Sequence, residues 1–225
     1  MTDTAEQTEE HPIIFNSWSI RRILAGEKTQ TRRIVKPQPP DEAPAETAVA
    51  TGPPWIARVA QCDGEQRRVI CPYGQPGDML WVREAFRLPA HSDGNETPSE
   101  YTGRGGNLVY WEATDESSFG EPGCGWGRKR PSIHMPRELC RLRLRVEDVH
   151  VERVQDIQPD DVDAEGVANR PDPDGAPWQK WETADGPETN FAHIAFRTLW
   201  NDIHGDGAWD ENPWVWVVEF LQIDK

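Results

Sequence analysis

A chain of 225 residues can bury one good hydrophobic core, and one domain with insertions fits it better than two. Its formal net charge of −15 argues against a long electrostatic groove for a nucleic-acid backbone, but leaves room for a small nucleoside or a short single strand. Eleven tryptophans and 20 prolines at low hydrophobic content point to long polar connections around a compact β-rich centre.

The acidic, polar start of the chain is no signal peptide. No apolar run approaches the ~20 residues of a membrane helix. Cys62, Cys71, Cys124 and Cys140 contain no Cys-x-x-Cys pair, and with His134 they match no usual zinc spacing. The expectation is a soluble cytoplasmic protein with reduced thiols, no membrane partner, no metal and no cofactor.

Residues 1–11 read as a disordered tail, and 12–225 as a single domain with polar insertions near 37–66, 87–106 and 168–189. Residues 12–15 predict a short strand. Ile20, Ile23 and Leu24 recur at helical spacing, with Ser17 or Ser19 as the cap. Gly26 ends that helix as a residue free to take positive φ. Lys28 then falls in the turn leaving the helix, and 29–34 run into a strand. The stretch Gly26-Glu27-Lys28-Thr29-Gln30-Thr31-Arg32-Arg33 thus brings an amine and two hydroxyls to the rim of a fold. A desolvated amine there can activate a nucleophile. The same residues also read as a solvated basic turn.

Residues 37–54 form a loop rich in Pro, Ala, Glu and Thr, and 67–71 a strand. The turn-rich run 71–78 feeds a strand over 79–86. Alternation places Leu80, Val82, Glu84 and Phe86 on one face, and Met79, Trp81, Arg83 and Ala85 on the other. Glu84, among three apolar neighbours, is either paired structurally or part of a site. Tryptophans near the strands belong to the core, or wall a pocket that stacks a base.

After a polar loop and a strand at 108–111, residues 131–136 predict an extended piece bracketed by prolines. Residues 139–154 carry one long strand or a bent pair. Leu142, Leu144 and Val146 face one way there, and Arg141, Arg143 and Arg145 the other. Between 128 and 145 seven Lys or Arg stand against one acid, Glu138. That is either a phosphate-binding face or a solvated face balanced by acidic loops. Residues 159–165 predict a short helix with Pro159 in its first turn, acids suited to its N-terminal dipole, and Gly166 as its stop. Glu165 stands at the end where the dipole does not favour a carboxylate, so something else must hold it there. Asn190 caps a last helix with apolar positions Phe191, Ile194, Leu199, Trp200 and Ile203. The closing strand, 213–223, is apolar on both faces and belongs in the middle of a barrel or under a helix. Dinucleotide and phosphate-binding glycine loops are absent, as is the Gly-x-Ser-x-Gly elbow.

The order helix, Gly-x-Lys-Thr-x-Thr, Pro-Gly-Asp turn, strands, short acidic helix and terminal strand resembles the ASCH domain family, itself similar to PUA-like β-barrels. Residues 26–33 match the family's opening motif, Gly77-Asp78 the turn before its central strand, Ala164-Glu165-Gly166 its acidic helix and 216–220 its last strand. The pieces 71–84, 131–137 and 212–220 look like the large phage and prophage branch. The resemblance implies an α+β fold, a small PUA-like barrel with two or three packed helices and long polar loops.

A small bacterial family member is an amidohydrolase that removes the acetyl group of N4-acetylcytidine. Its catalytic residues correspond to Lys28, Thr31 and Glu165. The resemblance therefore implies hydrolysis of an acylated base or nucleoside by these three, with Thr29, Arg33, Trp81 and Glu84 as substrate-binding candidates. In a regular strand Lys28 and Thr31 would face apart, so the site requires Lys28 in the turn, or a bulge. Another member is linked to RNA cleavage, and PUA-like relatives bind RNA or modified bases without chemistry. A binding module of that kind would use Arg141, Arg143 and Arg145 against nucleic acid. A phage-borne accessory protein without activity is the third reading.

Overall fold

The computed structural model describes residues 8–39, 56–60, 66–88, 110–111, 129–167 and 188–223. In chain order they form β1 (Glu10–Ile14), α1 (Ser17–Leu24), β2 (Gln30–Ile34), β3 (Ile56–Ala60), β4 (Gln66–Ile70), β5 (Met79–Arg83), β6 (Phe86–Arg87), β7 (Tyr110–Trp111), β8 (Arg143–Arg153), α2 (Pro159–Ala164), α3 (Glu188–His204) and β9 (Trp214–Ile223). The expected insertions lie mostly outside the described residues. The fold is mixed α+β. Five strands form one sheet in the order β1-β5-β8-β9-β2, and β3-β4 and β6-β7 form two small pairs. Only the β1–β5 contact in the large sheet is parallel.

β9 explains the layering. Trp214, Trp216, Val218 and Phe220 enter one core with Leu80, Val82, Leu142 and Leu144. Val215 and Val217, on the other face, enter a second core with Val162 of α2 and Phe196, Leu199 and Trp200 of α3. A strand apolar on both faces is thus covered on both, as its sequence requires. β8 keeps step with it through a bulge between Val146 and Asp148. The extra residue shifts the alternation, so that Val146 and Val149, three apart, both stay buried. Among the described residues no helix is long and apolar enough to cross a membrane.

Several elements differ from the pattern in the sequence. The cap of α1 is Asn16, extended at ψ 166, whose side chain accepts from the Ser19 N–H at 2.8 Å; both serines already lie inside the helix. β1 begins at Glu10, inside the expected tail, because pairing with β5 extends it: Met79 N–H donates to the Glu9 carbonyl at 2.8 Å. The expected strand 79–86 divides where Glu84 leaves the sheet to meet Arg141, and Phe86 pairs with Trp111 instead. The piece 131–136 contains a 3-10 turn, closed by His134 N–H to the Pro131 carbonyl at 3.0 Å. β3 falls inside the insertion expected near 37–66. α3 starts at Glu188, so Asn190 is not its cap.

Candidate active site

Two helix ends meet here, built the same way. After α1, Gly26 takes φ +73, with its N–H on the Ile23 carbonyl and the Glu27 N–H on the Arg22 carbonyl, both at 2.9 Å. After α2, Gly166 takes φ +85, with its N–H on the Asp163 carbonyl at 2.9 Å and the Val167 N–H on the Val162 carbonyl at 3.1 Å. Both are Schellman caps, which need a residue tolerant of positive φ. The first leaves Lys28 in the connection before β2; the second fixes Glu165 as the last residue before the turn. The Thr29 N–H donates to the Ala164 carbonyl at 2.8 Å, and the Thr29 carbonyl accepts from the Phe220 N–H at 2.8 Å. The lysine turn is thereby tied to both α2 and β9. A Cβ on Gly166 would stand 3.1 Å from the Lys28 Cβ, so that glycine also permits the approach.

Lys28 Nζ lies 2.5 Å from Glu165 Oε2 and donates to the Glu165 backbone carbonyl at 2.9 Å. Both residues are 4% exposed, which leaves the pair almost no water to share its charge. Burial lowers the lysine pKa from its ordinary value, against the opposing pull of Glu165; the charges of Arg33 and Arg32 add to the lowering. Behind the pair, Arg32 lies 3.4 Å from Glu165 Oε1, 2.7 Å from Glu152 and 3.3 Å from Asp161. Its guanidinium also donates to the Gln30 side chain. Gln30 in turn donates to Asp161 at 3.0 Å. For Asp161 burial raises the pKa, but hydrogen bonds from Gln30 and the Gln158 N–H and the charge of Arg32 bring it below the ordinary value.

The pair opens on a cavity of about 200 Å³. Thr31, Arg32 and Arg33 all line it, together with Phe15, Trp18, Phe196, Trp200 and His204. Three consecutive residues line one cavity because β2 is an edge strand. Thr31 is buried at the wall of this cavity. Lys28 belongs to the connection rather than the ladder, so strand alternation does not oppose it to Thr31. A lysine, a threonine and a buried carboxylate on one cavity form a set able to move a proton and deliver an oxygen nucleophile.

Arg33 stands at the same cavity, half-buried, 5.0 Å over the Phe15 ring and donating to the Ile14 carbonyl at 2.6 Å. The other substrate-binding candidates are elsewhere. The Thr29 side chain is exposed, and the residue contributes its backbone. Trp81 lies under Arg83 and Arg137. Glu84, fully buried, takes two hydrogen bonds from Arg141, at 2.8 and 2.9 Å, and is the structural pair its surroundings demanded. Arg145 pairs with Glu147 at 2.7 Å, and Arg143 sits half-buried on β8. Cys71 and Cys140 are free thiols, and no group of three metal-ligating side chains occurs among the described residues. The sequence reading missed Gln30, Arg32, Asp161 and Glu152. Gln30 and Arg32 were within its motif, but only the fold shows the acids that meet them. Comparison with family models, curated proteins and solved structures finds no match to this chain.

Proposed function

We propose that this chain is an ASCH-type, PUA-like protein that hydrolyses an acylated base or nucleoside of the N4-acetylcytidine kind. The observation that carries this reading is the buried contact of Lys28 with Glu165 beside Thr31, on one cavity, from three separate parts of the chain. Removing one member of a buried ion pair costs about 3–5 kcal/mol, while an apolar replacement of the pair is often neutral or better. Stability alone is therefore a poor reason to keep such a pair, and chemistry is a better one. The barrel reading is supported by Arg33, on edge strand β2, bonding the carbonyl of Ile14 at the end of edge strand β1. The two ends of the sheet approach within one side chain's reach.

In the proposed reaction, neutral Lys28 takes a proton from Thr31 or from water as that oxygen attacks the acyl carbon. The carbonyl π pair moves onto oxygen. Collapse of the adduct breaks the C–N bond, and the departing nitrogen receives a proton from the Lys28 ammonium, which Glu165 orients. If Thr31 attacks, water then cleaves the acyl-threonine and restores the hydroxyl. The nucleic-acid module is less well supported, since Arg141 is engaged with buried Glu84 and Arg145 with Glu147. The test is hydrolysis of N4-acetylcytidine followed by release of acetate. Lys28→Ala should slow it by about 10²–10⁴-fold, the usual loss with a general base. Because that variant also strands Glu165, Thr31→Val is the companion. It removes the hydroxyl while nearly keeping the side-chain volume, and should lose activity with little change in melting. No turnover of acylated bases or nucleosides by the wild type refutes the reading.

A further inference from the structure

Charge is distributed unevenly through this cavity. At the floor, Lys28 and Arg32 are matched by Glu165, Glu152 and Asp161. Toward solvent the balance fails. Arg33 is half-buried and His204 exposed, and both line the cavity. Lys36, exposed, follows the end of β2, three residues after Arg33. Among the described residues no carboxylate stands within ion-pair distance of Arg33 or Lys36. The Arg33 Nε is buried without a hydrogen-bond partner, so part of its guanidinium fork is unused. Burial first, and then the charges of Arg33 and Lys36, lower the His204 pKa, so both cations bear on this imidazole. In a chain of net charge −15, a cationic rim with a spare donor stands out as a place that attracts an anion.

The size of the cavity says which part of a ligand meets that rim. At about 200 Å³ it is smaller than the roughly 300–1,000 Å³ of a drug-sized site. It encloses a base and its acyl group, and leaves the rest of the molecule at the mouth. Trp200, tilted 37° against His204 with centroids 4.1 Å apart, lines the cavity as an aromatic wall suited to a base, and its indole N–H is also buried without a partner. We infer that Arg33 and His204 form a phosphate site at the mouth, with Lys36 just beyond β2 adding its charge, and that the substrate is an acylated nucleoside monophosphate rather than the free nucleoside. Arginine suits this place because its fork takes two phosphate oxygens at once, and neutral His204 still offers one N–H. The inference rests on the nucleoside reading above and names its substrate class.

Titration calorimetry with CMP, cytidine and a cytidine trinucleotide tests it without requiring turnover. The wild type should bind CMP about tenfold more tightly than cytidine, the scale of one charge-assisted contact. Arg33→Gln should bring that ratio toward one. Arg33 also braces Ile14, so exposed Lys36→Gln is the second variant, expected to reduce the ratio about two- to threefold. Equal binding of CMP and cytidine by the wild type overturns the site, as does a ratio unmoved in both variants, or no binding of any probe. A trinucleotide that outbinds CMP overturns the free-nucleotide assignment in favour of a strand. A clear CMP preference with no acyl hydrolysis leaves the mouth standing and removes the catalytic reading; hydrolysis with no phosphate preference does the reverse.

Discussion

Lys28 and Gly166 show how closely the site depends on single residues. Gly166 serves two purposes at once, positive φ and close approach to Lys28. Gly166→Ala should cost about 1–3 kcal/mol, the range for a non-glycine residue held in a strained region. It should also lower turnover, since its methyl pushes on the Lys28 stem; a variant as stable as wild type would mean that the turn relaxes freely. Lys28 makes a second prediction through pH. Its folded pKa lies below the ordinary 10.5. Between the lowered value and 10.5 the unfolded chain holds a proton that the folded chain has released. Stability supplied by this group therefore rises with pH across that window and is lost as pH falls through it. Cys71, pushed up by burial to about 12, works in the opposite direction above 9.0. It is present in both proteins, so it cancels when wild type is compared with Lys28→Met. Urea melts from pH 6 to 10 should show the wild type gaining on the variant as pH rises, and a flat difference would mean that burial does not set this lysine. The sequence marked Glu165 as a carboxylate at the wrong end of a helix dipole, but nothing local tells that the Gly166 turn touches Lys28.

At the scale of elements, the basic stripe divides into arginines with different physical roles. Arg141 reaches buried Glu84 in a bidentate pair just before β8, whereas Arg145 meets half-exposed Glu147 two residues along the same strand. Breaking a buried pair is costly and breaking a surface pair is not. Arg141→Gln should thus destabilise by about 3 kcal/mol, and Arg145→Gln by less than about 1 kcal/mol, in the same denaturant titration. Equal effects would return all three arginines to one solvated face. Alternation alone made Leu142, Leu144 and Val146 core residues and the arginines their opposite face; the leucines and valine are buried, Arg143 and Arg145 alternate with them on β8, and Arg141, just before the strand, turns to Glu84. Alternation gave no sign of the partners. A two-residue period is local, while the Glu84–Arg141 pair and the bulge after Val146 depend on how neighbouring strands align. The same limit explains β3, whose only ladder partner among the described residues is β4, and the 3-10 turn where prolines had indicated extended chain.

For the whole molecule, the decisive strand is β9, which joins both cores and borders β2, the strand that carries Thr31 and Arg33. Its double-sided apolar sequence made its central position legible in advance; the composition of the helical layer over Val215 and Val217 was not, because Phe196 was not among the expected apolar positions of α3. Two adjacent residues test the arrangement. Phe220 is 3% exposed and packs against Phe15 with centroids 6.0 Å apart, next to the cavity wall. Leu221, its neighbour, is 50% exposed on the opposite face. Truncating a fully buried Phe costs about 3–5 kcal/mol, and a half-exposed Leu loses far less. At about 2–4 °C per kcal/mol for a chain of this size, Phe220→Ala should lower the melting temperature by roughly 10 °C, and Leu221→Ala by only a few degrees. Since the Phe220 N–H also holds the Thr29 carbonyl at 2.8 Å, loosening this end of β9 should weaken the anchoring of the lysine turn. Turnover of Phe220→Ala should therefore fall more than its folded fraction at the assay temperature explains. If Phe220→Ala and Leu221→Ala melt alike, β9 is not the shared wall of the two cores, and the link from core to site fails with it.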